Sequence, residues 1–271
     1  MSGAAPEGLE GAPLERPLVV HGSSARMAEV GDAQAQLVLT GPPYFPAAVE
    51  AVLTNERSGA SALAGADVEA LARATLQFAW GLRPVFEECW RILPPGGWMV
   101  VQTRDVRLGT RLVPVETTHR ELLEAVGFHL YARHFWRPVH TPLGRRRVLD
   151  ALARSHAPLP FDPEVFMAFL KPGPARPGVP TLQDAALLSG DSLRTAVGHQ
   201  PARHRHHSPV PVMQAFVRAC SRPGDLVVDP FAGAGTVLRA AVQLGRRAVG
   251  YEIDAQAVAA MQGNLALRGG R

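Results

Sequence analysis

The chain has 271 residues but only two cysteines, and aromatic residues make up 6% of it. Cys89 and Cys220 lie far apart, each within a stretch of helical spacing and neither in a metal-ligand pattern. A disulfide framework and a cysteine-ligated metal module are therefore disfavoured, and reduced core thiols in a cytosolic protein are expected. No run of about 18 apolar residues occurs, which argues against a membrane-spanning helix. The opening MSGAAPEGLEGAPLERP lacks a basic start followed by an apolar core, so it does not read as a secretory signal. Residues 1–17 are expected to be a disordered lead-in. There is no internal repeat, and neither sign of charge dominates: 28 Lys+Arg stand against 24 Asp+Glu, a net charge of +4 with a pI near 9.7. That balance mildly favours a polyanionic partner. What the chain does have is hydrophobic residues, at 46%, ample for one large α/β domain or two small ones.

Three short apolar runs, LVV (18–20), AQLVLT (35–40) and GWMVVQT (97–103), are continuous rather than alternating, the pattern of strands buried in a parallel sheet. Before the third, DVEALARATLQFAWGLRPVFEECWRIL has helical spacing broken near Gly81 and Pro84, and it stops at PPGG. VETTHRELLEAV predicts a helix closed by Gly127. FHLYARHFW and EVFMAFL predict two further strands. Residues 171–208 change character, first proline-rich and then crowded with His and Arg, and support no regular core element. Beyond them the sequence predicts a helix with proline in its first turn, a strand, a glycine turn with its helix, another strand and a closing helix. Strands alternating with helices imply a doubly wound, mostly parallel sheet.

Two of these strands end unusually. In LVLTGPPYFP (37–46), the apolar run stops at Thr40, Gly41, Pro42, Pro43 and Tyr44. Proline fixes φ near −65° and has no N–H. The corner is therefore stiff, its carbonyls point in set directions, and an aromatic ring is displayed beyond it. In VVDPFAGAGT (227–236), a strand passes into a helix through Asp229, Pro230, Phe231, Gly233, Gly235 and Thr236. Glycine lets the backbone approach a ligand closely, and a helix start attracts negative groups. Glu252 ends the next strand roughly 20 positions on, the spacing at which an acidic residue takes ribose hydroxyls in nucleotide-binding α/β folds. Leu238 stands where a dinucleotide fingerprint has its third glycine. The pattern thus favours a nucleoside cofactor without a pyrophosphate over NAD.

DPFAGAGT with GYEID resembles the S-adenosylmethionine site of DNA amino-methyltransferases, and TGPPY resembles their catalytic (Asp/Ser/Asn)-Pro-Pro-(Tyr/Phe) motif. Because the corner comes first and the cofactor motif last, the order resembles the circularly permuted beta class. The likeness runs from about residue 18 onward. It implies a Rossmann-like doubly wound, mostly parallel sheet of seven strands. Residues 18–170 would form the catalytic half, 171–207 a small irregular target-recognition segment, and 208–271 the cofactor half. It implies S-adenosyl-L-methionine as cofactor and no metal. Asp229, Pro230, Phe231, Gly233, Gly235 and Thr236 would line the methionine side, Ser208 and Pro209 would support its tail, and Glu252 would take the ribose. Ser23 stands after Gly22, where the family usually has an aspartate reaching the adenine amine.

The implied reaction is methylation of the exocyclic amine of a base extruded from double-stranded DNA, with Thr40, Gly41, Pro42, Pro43 and Tyr44 as the catalytic corner. The threonine before the corner resembles the TSPPY form of the cytosine-N4 enzymes; adenine N6 is the alternative. RNA and protein-glutamine methyltransferases use related Asn-Pro-Pro-Tyr corners, but usually with the cofactor motif ahead of the corner. Gly41 departs from the family, which has a side-chain acceptor there. Either Thr40 or a water replaces that acceptor, or the chain is a weakened relative that binds without catalysis.

Arg145, Arg146 and Arg147, and the cluster of Arg203, His204, Arg205, His206 and His207, fall in loops. Arginine forks match phosphate oxygens, so with a DNA substrate these arginines are expected to grip the backbone. Double-stranded DNA is the implied partner. A second copy of the chain and a companion restriction endonuclease are further candidates, in a cytoplasmic, nucleoid-associated setting.

Overall fold

In the computed structural model, the described residues are 16–47, 49, 66–108, 111–136, 164–174, 188 and 209–266. Continuous apolar runs become strands wherever both faces of the sheet are covered. In chain order the elements are β1 (Leu18–His21), β2 (Ala35–Thr40), α1 (Val68–Trp80), α2 (Arg83–Ile92), β3 (Trp98–Thr103), β4 (Val106–Leu108) and β5 (Arg111–Val113). There follow α3 (Val115–Val126), β6 (His129–Trp136), β7 (Glu164–Leu170), α4 (Val210–Cys220), β8 (Leu226–Asp229), α5 (Thr236–Gln243), β9 (Arg247–Glu252) and α6 (Ala255–Ala266).

Seven strands form one sheet in the order β1-β9-β8-β2-β3-β7-β6. The pairings from β1 across to β3 are parallel, and β7 and β6 close the other edge antiparallel, so the sheet is mostly parallel as expected. β8 and β9, from the end of the chain, lie between β1 and β2, from its beginning. Segments distant in sequence thus share one sheet.

Helices cover both faces. Val38, Met99, Val101, Val228 and Val249 pack with Phe86, Cys89 and Ile92 of α2 and Leu122 and Leu123 of α3. Their strand neighbours Leu37, Leu39, Val100, Val227 and Ala248 pack on the other side with Phe216 of α4 and Val237, Leu238 and Ala241 of α5. Successive strand residues point to opposite faces, and here both faces are core. The exceptions are the two edge strands: β6 leaves alternate residues exposed from His129 to Phe135, and β1 is only part-buried. β1 pairs only with β9 at the sheet edge, so Leu18, Val19 and Val20 are half-buried rather than buried.

Local chemistry sets the helix boundaries. Asp67 caps α1 by accepting from the Ala70 N–H at 2.9 Å. Gly81 closes α1, and α2 restarts with Pro84 in its first turn, as the break in spacing predicted. The Lys171 ammonium donates to the Trp90 and Leu93 carbonyls, each at 2.7 Å, at the C-terminal end of α2. Gly127 has φ +120° at the end of α3, where the Trp90 ring lies against it.

The β4–β5 hairpin, two strands of three residues each, was not expected from the sequence. Its Val106, Leu108 and Val113 form a third cluster with Ala72 of α1 and with Phe45. Among the described residues, no helix is long and apolar enough to cross a membrane.

Gly250 on β9 shows how closely the elements around the glycine turn approach each other. A Cβ there would stand 2.7 Å from Leu238 Cδ1 and 2.8 Å from Ala232 Cβ. Gly250→Ala is expected to lower unfolding stability by about 1–3 kcal/mol through overpacking. Urea denaturation measures this; an unchanged midpoint would contradict the contact.

Candidate active site

The order in which the chain adds strands reverses at the middle of the sheet. From β8 the chain moves outward to β9, and from β2 it moves the other way to β3. Ligand crevices in open α/β sheets form at the carboxyl ends of the strands where that order reverses. Here the reversal lies between β2 and β8, and it brings the two strand-ending motifs together.

They are joined by a buried hydrogen bond. Thr40 Oγ1 donates to Asp229 Oδ1 at 2.6 Å, across 189 positions of sequence. The same carboxylate oxygen accepts from the Phe231 N–H at 3.1 Å, which folds the chain into the glycine turn. Thr40 is fully enclosed, with its hydroxyl turned toward Asp229. Burial pushes the Asp229 carboxyl up to about 7, and the Glu252 charge adds to this, while the bonds from Thr40 and Phe231 oppose it.

At the glycine turn, Gly233 and Gly235 have φ of +50° and +76°, backbone that favours glycine. Gly235 also has no room for a side chain, since a Cβ would fall 2.7 Å from Met261. Glu252 spans the turn: Oε2 accepts from the Gly233 N–H and Oε1 from the Asp254 N–H, both at 2.9 Å. The Gly22 N–H donates to the Glu252 carbonyl at 2.9 Å, and His21 Nε2 to the Ile253 carbonyl at 3.2 Å. The segment holding Ser23 is thereby set beside the end of β9. Ile253 is 73% exposed, an apolar side chain held out next to the acidic one.

On the corner side, Pro42 is buried, Gly41 and Pro43 are exposed, and Tyr44 is half-buried. Phe45 anchors the corner in the cluster made by α1 and the β4–β5 hairpin, and Tyr44 packs edge-on against it with centroids 6.5 Å apart. The Arg104 guanidinium lies 5.4 Å from the Tyr44 ring centroid. Burial raises the Tyr44 hydroxyl above the ordinary phenol range, nearby Glu164 adds to the shift, and Arg104 opposes it.

Gly41 has space around it. A Cβ there would meet only ordinary contacts, the nearest being Gln102 Oε1 at 3.8 Å. Gln102 donates through Nε2 to Glu164 Oε2.

The structure therefore brings together Thr40, Gly41, Pro42, Pro43, Tyr44, Asp229, Pro230, Phe231, Gly233, Gly235, Thr236 and Glu252 on one edge of the sheet, with Pro209 opening α4. Ser208, Arg145, Arg146, Arg147, Arg203 and Arg205, and most of 171–207, lie outside the described residues. Sequence reasoning missed Gln102, Arg104, Glu164 and Ile253. A signal existed for the first two, because the apolar run of β3 ends on the polar residues QTR at the carboxyl edge of the sheet.

Residues 183–263 match the family model of the N6/N4 DNA methylases. The type II methyltransferase M.MjaI of Methanocaldococcus jannaschii is 27% identical over 267 residues, covering 87% of this chain and 86% of that protein. The cytosine-N4-specific PvuII DNA methyltransferase superposes with a TM-score of 0.65 at 16% identity, over 92% of this chain and 87% of that one. M1.HpyAVI, solved as a complex with S-adenosylmethionine, gives 0.54 at 16% identity, over 92% and 98%. These two likenesses show the fold. The family match spans the glycine turn and β9, and the relative of similar length matches most of the chain, so the chain is similar to the N6/N4 DNA methylases and to a type II methyltransferase.

The buried acid has a pH signature. Asp229 keeps its proton to about pH 7 in the folded chain, against an ordinary value of 3.8. The native state then binds more protons than the unfolded state between those values, so stability falls as pH rises through that window and levels off above it. Asp229→Asn is expected to flatten this slope, which is on the order of 1.4 kcal/mol per pH unit at most. Urea midpoints at pH 5 and 7.5 read it, and equal slopes for wild type and variant would contradict the buried acid.

Proposed function

We propose that the chain is a site-specific methyltransferase that moves a methyl group from S-adenosyl-L-methionine to the N4 amine of a cytosine extruded from double-stranded DNA. The observation that carries this reading is the adjacency of the Pro-Pro corner and the glycine turn across the buried Thr40–Asp229 hydrogen bond.

The residues present fit the cofactor. A carboxylate has about four lone-pair positions, so Glu252 can hold the Gly233 and Asp254 N–H groups and still accept from ribose hydroxyls. Exposed Ile253 suits the face of the adenine ring. Asp229, Pro230, Phe231, Gly233, Gly235 and Thr236 line the methionine side, and Ser208 and Pro209 support its tail. When bound, S-adenosylmethionine supplies an electrophilic methyl on a sulfonium.

The rest is done by the corner. An exocyclic amine is a poor nucleophile because its lone pair is delocalised into the ring. The Pro42 carbonyl, preorganised by the stiff corner, accepts an amine hydrogen and favours the tetrahedral nitrogen whose lone pair is free. Tyr44 stacks on the base, which must leave the duplex because a stacked amine is out of reach. Its ring is braced by Phe45 and by Arg104. Arg145, Arg146, Arg147, Arg203 and Arg205 hold phosphates, and 171–207 reads the target, with a second copy sharing a short site. Thr40 before the corner supports cytosine over adenine.

The test is to incubate unmethylated genomic DNA with the protein and cofactor, digest it to nucleosides and weigh them. N4-methylcytosine is the expected product. N6-methyladenine would transfer the reading to adenine, and unmodified DNA would contradict an active enzyme.

A further inference from the structure

Gly41 removes the side chain that, by family resemblance, would accept the second hydrogen of the target amine. Thr40 does not fill that role in this structure, because its hydroxyl is buried and directed to Asp229. The side chain nearest the gap belongs to Gln102. β2 and β3 are parallel and in register, Thr40 facing Val101, so Gly41 and Gln102 are neighbours at the next rung. Side chains at one rung of paired strands project to the same face. Gln102 Oε1 accordingly stands 3.8 Å from the point where a Cβ on residue 41 would sit, and nothing lies closer to that point.

Which end of the amide faces Gly41 is fixed by chemistry. The other end meets Glu164, and a carboxylate only accepts, so the Gln102 nitrogen must point to Glu164 and its oxygen toward Gly41. Glu164 is itself held on β7, whose Val165 and Phe166 pair with Thr103 and Gln102. Gly41 is exposed whereas Gln102 is buried, so the amide lies beneath an exposed glycine and not beneath a side chain of residue 41.

We propose that Gln102 Oε1 is the second acceptor for the target amine, reached through the gap at Gly41, with Glu164 as the positioning residue that locks the amide oxygen toward the base. This rests on the amine-methyltransferase reading above. In that arrangement the amine hydrogens are shared between the Pro42 carbonyl and the Gln102 amide, both neutral oxygens; the N–CH3 bond would form as the S–CH3 bond breaks, and the proton shed by the nitrogen would pass to solvent. Glycine at 41 is then a requirement of the site, not a loss from it.

The experiment is single-turnover transfer from tritiated S-adenosylmethionine to unmethylated genomic DNA by the full chain. Cofactor affinity is measured in parallel by equilibrium dialysis. Gln102→Leu keeps the volume and removes the acceptor; it is expected to lower the transfer rate about 100-fold, as loss of one preorganised polar partner does, with cofactor affinity within about threefold of wild type. Gly41→Ser has room in the fold, and added to Gln102→Leu it is expected to restore at least about tenfold of the rate. A merely structural role for Gln102 would not be repaired this way. If Gln102→Leu fails to hold cofactor, Gln102→Asn gives the same reading. It withdraws the oxygen by one methylene, and displacements of about 1 Å can cost 100-fold. Transfer within threefold of wild type, or a loss that Gly41→Ser leaves unrepaired, overturns the role of the amide alone. Wild-type protein that transfers nothing overturns both this and the reading it rests on.

Discussion

The hydrogen bond from Thr40 to Asp229 is the joint on which the site depends. It is short, enclosed and made by side chains at the ends of two adjacent central strands, one from each end of the chain. A buried carboxyl without partners would be costly. Asp229 meets that cost with Thr40 on one side and the Phe231 N–H on the other. Each partner belongs to a different functional element: Thr40 precedes the stiff corner, and Phe231 begins the glycine turn. One buried acid therefore sets the corner relative to the turn, and a shift in either strand end would be felt at both.

Around that joint the supports divide by side. Glu252 braces the turn through two backbone N–H groups and ties it to the β1 end through its own carbonyl. The corner is held by Phe45, packed into the cluster of α1 and the small hairpin. These supports are rigid secondary structure, which is what a reaction limited by placement and charge requires. Gln102 and Glu164 extend the corner onto β3 and β7, so the side chain missing at Gly41 is answered from the neighbouring strand instead of from the corner itself.

Much of the fold was legible. Continuous apolar runs mark strands covered on both faces, and the break at Gly81 and Pro84 separates α1 from α2 as its chemistry requires. Both strand-ending motifs were visible, and it was their pairing that carried the signal, since a proline corner or a glycine turn alone also suits an ordinary loop. Other features were hidden. The three-residue strands of the β4–β5 hairpin are too short to show a period. The half-burial of β1 depends on its place at the sheet edge, which no local pattern encodes. Thr40 could be found but not oriented, because in a strand buried on both faces the hydrophobic pattern does not say which way a residue points. Gln102 and Glu164 meet only through an antiparallel pairing across 62 positions, and neither lies in a motif.

The most direct measurement is a crystal structure of the full chain with S-adenosylhomocysteine bound. The sulfur is expected in the crevice between Phe231 and the Pro42 carbonyl, with the ribose at Glu252 and a gap no wider than a nucleobase between the sulfur and Tyr44. A nucleoside bound elsewhere on the sheet, or a sulfur turned away from the Pro-Pro corner, would contradict the joining of the two motifs into one site.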